Sequence, residues 1–107
     1  MKRGSVVIAA ERGSFAGKPC PWLVVQNSDL LDDPVSITVC AISSDAVEAS
    51  FRVAVAPTPA NGLDRPSLVL IDKITTLRRE SIDQVAGEID TAIMRRVDAE
   101  IRFWLDL

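Results

Sequence analysis

The chain has no histidine in its 107 residues. That removes Ser-His-Asp and Cys-His nucleophile systems, two-histidine nucleases and histidine zinc sites. Any catalysis must use carboxylates, hydroxyls, thiols or cations. Cys20 follows Lys18 by two residues in a loop bearing Gly17 and Pro19. A thiolate nucleophile needs a base or a strong positive field, and Lys18 is the one obvious source. Ser43 and Ser44 end an alternating run, where serines ordinarily make turns and where a hydroxyl is also free to donate to a ligand. Asp72 precedes Lys73 at what reads as a strand end, normally a solvated pair, with the carboxylate as a candidate base. Arg12, Lys18 and Arg65 are ordinary surface charges taken singly. Gathered round one groove they would make a positive patch that the net charge of −3 conceals. Cys40 lies inside an alternating run and reads as a small core residue.

The elements that must position these groups are mostly strands. A chain of this length allows one domain, and 48% hydrophobic residues are enough to fill its core. β-Branched Val6, Val7 and Ile8 predict a strand over Ser5–Ala10, followed by a loop from Glu11 to Pro19. Trp22–Val25 predicts a second strand whose continuous apolarity implies burial on both faces. Ser28–Asp32 has room for a turn of helix before Pro34 ends it. Val35–Ser43 alternates, with Ile37, Val39 and Ala41 set against Ser36, Thr38 and Cys40, and predicts a third strand. Ser50–Val55 alternates again before a loop over Pro57–Gly62, and a further strand starts near Ser67 and runs toward Ile74. Gln84–Ile89 is an ambiguous short strand. Asp90 is a good N-cap for one helix reaching Leu105, with Ile93, Met94, Val97, Ile101, Trp104 and Leu105 on one face. Arg96 with Glu100 and Asp98 with Arg102 have the spacing of solvated helix pairs. The predicted fold is mainly β with a C-terminal helix: a small barrel or half-open sheet closed by that helix.

The longest apolar runs fall far short of the ~20 residues that cross a bilayer. Met1-Lys2-Arg3 has the charge of a signal-peptide start, but Glu11 and Arg12 interrupt the apolar stretch that follows. A cytoplasmic protein with two free thiols is the expectation, and Cys-x-x-Cys metal spacing is absent from the sequence.

Five segments in order resemble the MazF/PemK/Kid toxins of bacterial toxin–antitoxin systems. They are Lys2-Arg3-Gly4-Ser5-Val6-Val7, the run Gly17 to Gln26, the strand Ser36 to Ser44, Gly62-Leu63-Asp64-Arg65-Pro66-Ser67 with Val69 to Ile74, and the closing Leu105-Asp106-Leu107. Together they span nearly the whole chain, residues 1–107. The resemblance implies an SH3-like small barrel that acts as a homodimeric endoribonuclease without metal or cofactor and is inhibited by a cognate antitoxin. It implies single-stranded RNA as substrate, cut by attack of the ribose 2′-hydroxyl on the adjacent phosphate. That chemistry needs a base, an acid, and positive charge or donors on the phosphate. Ser43 matches the family's threonine near the end of the third strand and keeps its hydroxyl. Cys20 stands where many relatives carry a catalytic arginine. Asp72 matches the aspartate of the Kid branch, but Leu70 and approximately Ser14 occupy the places of its arginine and histidine.

The resulting candidates are Ser43, Cys20 and Asp72 for catalysis, and Lys18, Arg12, Arg65 and Ser44 for RNA binding. Lys18 or Arg65 is the expected replacement for the missing arginine; the other readings are a poor nuclease that still binds its partners and an attenuated toxin. The antitoxin is expected to lay an extended or helical tail across the groove between the Glu11–Pro19 loop and Ser43. The alternative is a CcdB-like gyrase inhibitor, which shares the barrel and uses a tryptophan near the end of the terminal helix, as Trp104 is placed here. A non-catalytic interaction domain is the third class.

Overall fold

Residues 1–11, 17–32 and 35–107 are described by the computed structural model. Among these residues six strands and one α-helix follow in order: β1 (Ser5–Ala9), β2 (Cys20–Val24), β3 (Ser36–Ser43), β4 (Arg52–Val55), β5 (Ser67–Arg78), β6 (Ile82–Glu88) and α1 (Thr91–Leu105). Between β2 and β3 a single 3-10 turn covers Ser28–Leu30, the turn expected there. β5 continues four residues beyond Ile74 because Thr75 and Thr76 are β-branched and Leu77 points inward, fully buried opposite Ile37. The Gln84–Ile89 run is a strand, although it starts earlier, at Ile82.

All pairings are antiparallel and the sheet order is β4-β5-β3-β2-β1-β6. β4 and β6 form the two edges, so the sheet is the half-open form of the expected barrel. Both of its faces are buried. On one, Val6, Leu23, Cys40, Ile42, Val53, Val69 and Ile71 meet Met94 and Val97 of α1. On the other, Val7, Trp22, Val24, Ile37, Val39, Ala41, Leu70 and Leu77 pack together with Leu31, and among the described residues none of α1 joins them. The second cluster comes almost wholly from the sheet itself, which must therefore curl over its own face. Alternate residues of β3 feed different cores, and the simple one-sided alternation expected for this strand is replaced by burial on both sides.

α1 begins where Asp90 Oδ1 accepts the Ile93 amide at 2.8 Å, as expected of an N-cap. Met94 and Val97 are buried and Ile93 and Ile101 half-buried, but the last turn leaves the sheet and Phe103, Trp104 and Leu105 are exposed. Asp98 is paired across the fold. Arg3 Nη1 lies 2.7 Å from its shielded Oδ1, and Arg3 Nε donates to Val25 O at 2.8 Å. The arginine of the opening motif is thus a latch that ties β1, β2 and α1 together. The loop after β4 rests on β6 so closely that a Cβ at Gly62 would stand 2.4 Å from Ala86 O, and Gly62 also has φ +70°.

Candidate functional site

The site lies around the Ser43 end of β3, and its larger part opens on the sheet face opposite α1, over Trp22, Ala41 and Leu70 of the second core. Ser43 ends β3 and is half-buried; its Oγ accepts the Asp45 amide at 3.1 Å, the turn expected of a strand-ending serine. Two clefts share this residue. The smaller, about 210 Å³, is lined on the β2 side by Cys20 and Pro21, with Ser44, Arg65 and Ser67 around it. The larger, about 600 Å³, has Trp22, Ala41 and Leu70 as its floor and Arg52, Asp72, Lys73 and Thr75 on its walls.

Four of the expected residues, Cys20, Ser43, Ser44 and Arg65, come together in the smaller cleft. Asp72 lies with Ser43 in the larger. Lys18 is exposed, two residues before β2, and its charge reaches the Cys20 thiol. Arg12 lies outside the described residues, as does Ser14. Burial raises the Cys20 thiol above its ordinary value and Lys18 only partly offsets this, so Cys20 is a neutral thiol at pH 7 and a poor nucleophile. Cys40 is buried in the α1-side core, where desolvation pushes it up to about 12.

Asp72 owes its position to an irregularity. Cys40 pairs with Ile74, yet the next residue of β3, Ala41, pairs with Leu70, so Ile71, Asp72 and Lys73 lie outside the β3–β5 register. Bulges of this kind re-aim side chains beside functional sites. Here the bulge offers Asp72 to Arg52, which occupies β4 directly opposite Leu70. Arg52 Nε donates to Asp72 Oδ1 at 3.1 Å and Nη2 to Oδ2 at 2.9 Å, while Nη1 donates to Val47 O at 3.0 Å. The side chains are only 17% and 15% exposed, and such a bidentate pair is rigid. The guanidinium also lies over Phe51, 5.9 Å from the ring centroid, and Phe51 packs on Trp104 with centroids 5.1 Å apart. Hydrogen bonds from Arg52 hold the Asp72 carboxyl below the usual carboxylate range. It is a permanent acceptor near neutral pH and a weak general base, since efficient bases titrate near the working pH.

Arg52 is the residue that sequence reasoning missed. The alternation of Ser50–Val55 assigns it simply to the face opposite Val53. Its meaning comes from the cross-strand register, which brings a guanidinium opposite Leu70, the place where the Kid-like pattern lacks its arginine.

Residues 2–105 match the family model described as PemK-like, MazF-like toxin of type II toxin-antitoxin system. The chain belongs to this family. Among PemK/MazF relatives, it is 36% identical over 108 residues to the "Probable endoribonuclease MazF" of Mycolicibacterium smegmatis, covering 100% of this chain and 98% of that protein. It is 29% identical over 97 residues to the endoribonuclease MazF6 of Mycobacterium tuberculosis, covering 89% and 85%. A mycobacterial endoribonuclease in complex with its cognate antitoxin superposes with a TM-score of 0.82 at 22% identity, covering 100% of this chain and 96% of that one. A MazE–MazF structure from Deinococcus radiodurans gives 0.80 at 20% identity, with the same coverage. At such identities the superpositions establish the PemK/MazF fold. No helix among the described residues is long and apolar enough to cross a membrane.

Proposed function

We propose that this toxin is a cytoplasmic, metal-independent endoribonuclease acting on single-stranded RNA, paired with a cognate antitoxin and working as a homodimer. One observation carries the reading: Ser43, the hydroxyl matched to the family's threonine, stands where the two clefts meet, open to a strand running through both. In the reaction the ribose 2′-oxygen bonds to phosphorus as the bond to the 5′-oxygen breaks. The attacking hydroxyl loses a proton and the leaving oxygen gains one, giving a cyclic phosphate and a 5′-hydroxyl end. Ser43 donates to a phosphate oxygen, and Lys18, Arg65 and Ser44 hold the strand on the side where Cys20 replaces the usual arginine. The neutral Cys20 thiol supplies no charge, so cleavage is slow unless Lys18 or Arg65 compensates. Arg12 belongs to the same proposed set. Asp72 remains the proposed carboxylate of the site, its low pKa fitting it better to accept hydrogen bonds than protons.

The exposed end of α1, with Phe103 78% and Leu107 74% accessible, supports pairing of two copies through this region. Sedimentation of the purified chain at micromolar concentration should give the dimer; a monomer alone refutes the pairing. The solved antitoxin complexes of the same fold support an antitoxin partner, and the proposed place of its tail is the cleft mouth at Ser43. Incubation with total RNA and mapping of new ends tests the activity. Intact RNA together with gyrase trapped on DNA would instead select the CcdB-like alternative around Trp104.

A further inference from the structure

The larger cleft does not have the composition of a phosphate site. Its wall charges balance: Arg52 and Lys73 face Asp45 and Asp72. An anionic phosphate would meet as many carboxylates as cations there. The cleft offers instead an apolar floor of Trp22, Ala41 and Leu70, a fixed acceptor in Asp72, a fixed donor in Arg52 and a hydroxyl in Thr75. A flat ring with polar edges and an apolar face fits this, and unpaired bases of RNA are read in such a way, splayed from the strand and hydrogen-bonded along their edges. Resting on the reading of the chain as an RNA-cutting toxin, we propose that the Arg52–Asp72 pair is a specificity-determining element that reads one nucleobase beside the phosphate held at Ser43, and selects a base whose amino group adjoins an unprotonated ring nitrogen, cytosine or adenine, over uracil.

The selection follows from the state of Asp72. An ionised carboxylate only accepts hydrogen bonds. Toward an amino group of cytosine or adenine it gains a charge-assisted bond, and Arg52, with N–H groups beyond its three bonds to Asp72 and Val47, donates to the adjacent ring nitrogen. Uracil turns its O4 toward the same carboxylate, two acceptors facing each other. The pair is set before the base arrives, because the β5 bulge and the contact with Phe51 fix both partners. Good base contacts are worth ~1–3 kcal/mol of discrimination, roughly five- to 150-fold in affinity.

The test uses 2′-O-methyl oligonucleotides, whose blocked hydroxyl prevents cleavage, as homopolymers of cytidine, adenosine and uridine. The wild-type dimer should bind the cytidine or adenosine strand at least fivefold more tightly than the uridine strand. Asp72→Asn, which presents both an acceptor and a donor, should bring that ratio toward one. Replacing cytosine by N4,N4-dimethylcytosine removes the amino hydrogens without altering the protein, and should lower affinity to that of uridine even if Asp72→Asn does not fold. A wild-type ratio near one, uniform weakening of all three strands by Asp72→Asn, or unchanged binding of the dimethyl strand each overturns the inference. Failure of the wild type to cut the same sequences with free 2′-hydroxyls, alongside base-selective binding, would reject the nuclease reading and leave the base pocket standing.

Discussion

The clefts on either side of Ser43 are built on opposite principles. The β2-side cleft gathers residues that family resemblance singles out, yet Cys20 is a neutral thiol and Arg65 an exposed cation in a loop. The β5-side cleft contains only Asp72 of the candidate residues besides Ser43, but there Arg52 and Asp72 are locked by two hydrogen bonds, a bulge and an aromatic contact. A position in a pattern marks where chemistry happens in relatives. Preorganisation marks where this chain holds its polar groups ready, and the two need not coincide.

The contrast should appear first in stability. Trp22 is 2% exposed, forms the floor of the larger cleft and donates from Nε1 to Ala9 O at 3.1 Å. Trp22→Ala should cost about 3–5 kcal/mol in urea denaturation. Arg65→Ala, in the wall of the smaller cleft, should cost less than about 0.5 kcal/mol while weakening RNA binding. Equal losses would mean that both clefts are built into the core alike.

Rates should separate the clefts next. Ser43→Ala removes the donor they share and should lower single-turnover cleavage by about 10²-fold, with the fold retained in circular dichroism. Cys20→Arg adds charge to the β2 side alone and should raise cleavage by at least about tenfold. If it leaves a readily measured rate unchanged while Lys18→Ala abolishes it, the loop lysine already supplies that charge.

The acid response should be smaller and confined to the β5 side. Because the folded pKa of Asp72 is lowered, its contribution to stability is present above the unfolded value of about 3.9 and is lost as pH falls through the folded one. Asp72→Asn should therefore reduce the drop in melting temperature between pH 5 and pH 2, and an unchanged drop would show that the pair carries none of it. The least effect concerns the thiols. At pH 8 a disulfide reagent should modify Cys20 slowly and Cys40 only on unfolding. Cys40 has a raised folded value, so its contribution is complete below the unfolded pKa and fades as pH rises from about 9 to about 12.

Much of the fold is legible from residue types because strands reveal themselves locally. Val6-Val7-Ile8, Trp22–Val24 and the alternation before Ser43 need no distant information, and neither does the Asp90 cap. Arg96–Glu100 and Asp98–Arg102 show the limit: helical spacing makes them neighbours, while the fold gives Asp98 to Arg3, 95 positions earlier. The site divides in the same way. Ser43 can be placed from the strand it ends. Arg52 cannot, because its partner is set by a register step between strands separated by a loop, and a bulge of three residues leaves no mark in composition.

The pairing of β1 with β6 sets Ser5 opposite Glu88. During synthesis the first strand therefore waits for nearly the entire chain before its outer neighbour exists, while β2 and β3 can already form a hairpin. Closing such distant ends is slow compared with local pairing. A nascent chain stalled before β6 would present β1 as an uncovered sheet edge and lack the helix that fills one core. The six-stranded sheet and its helix-filled core are thus completed only when the residues from Ile82 to Leu105 have emerged.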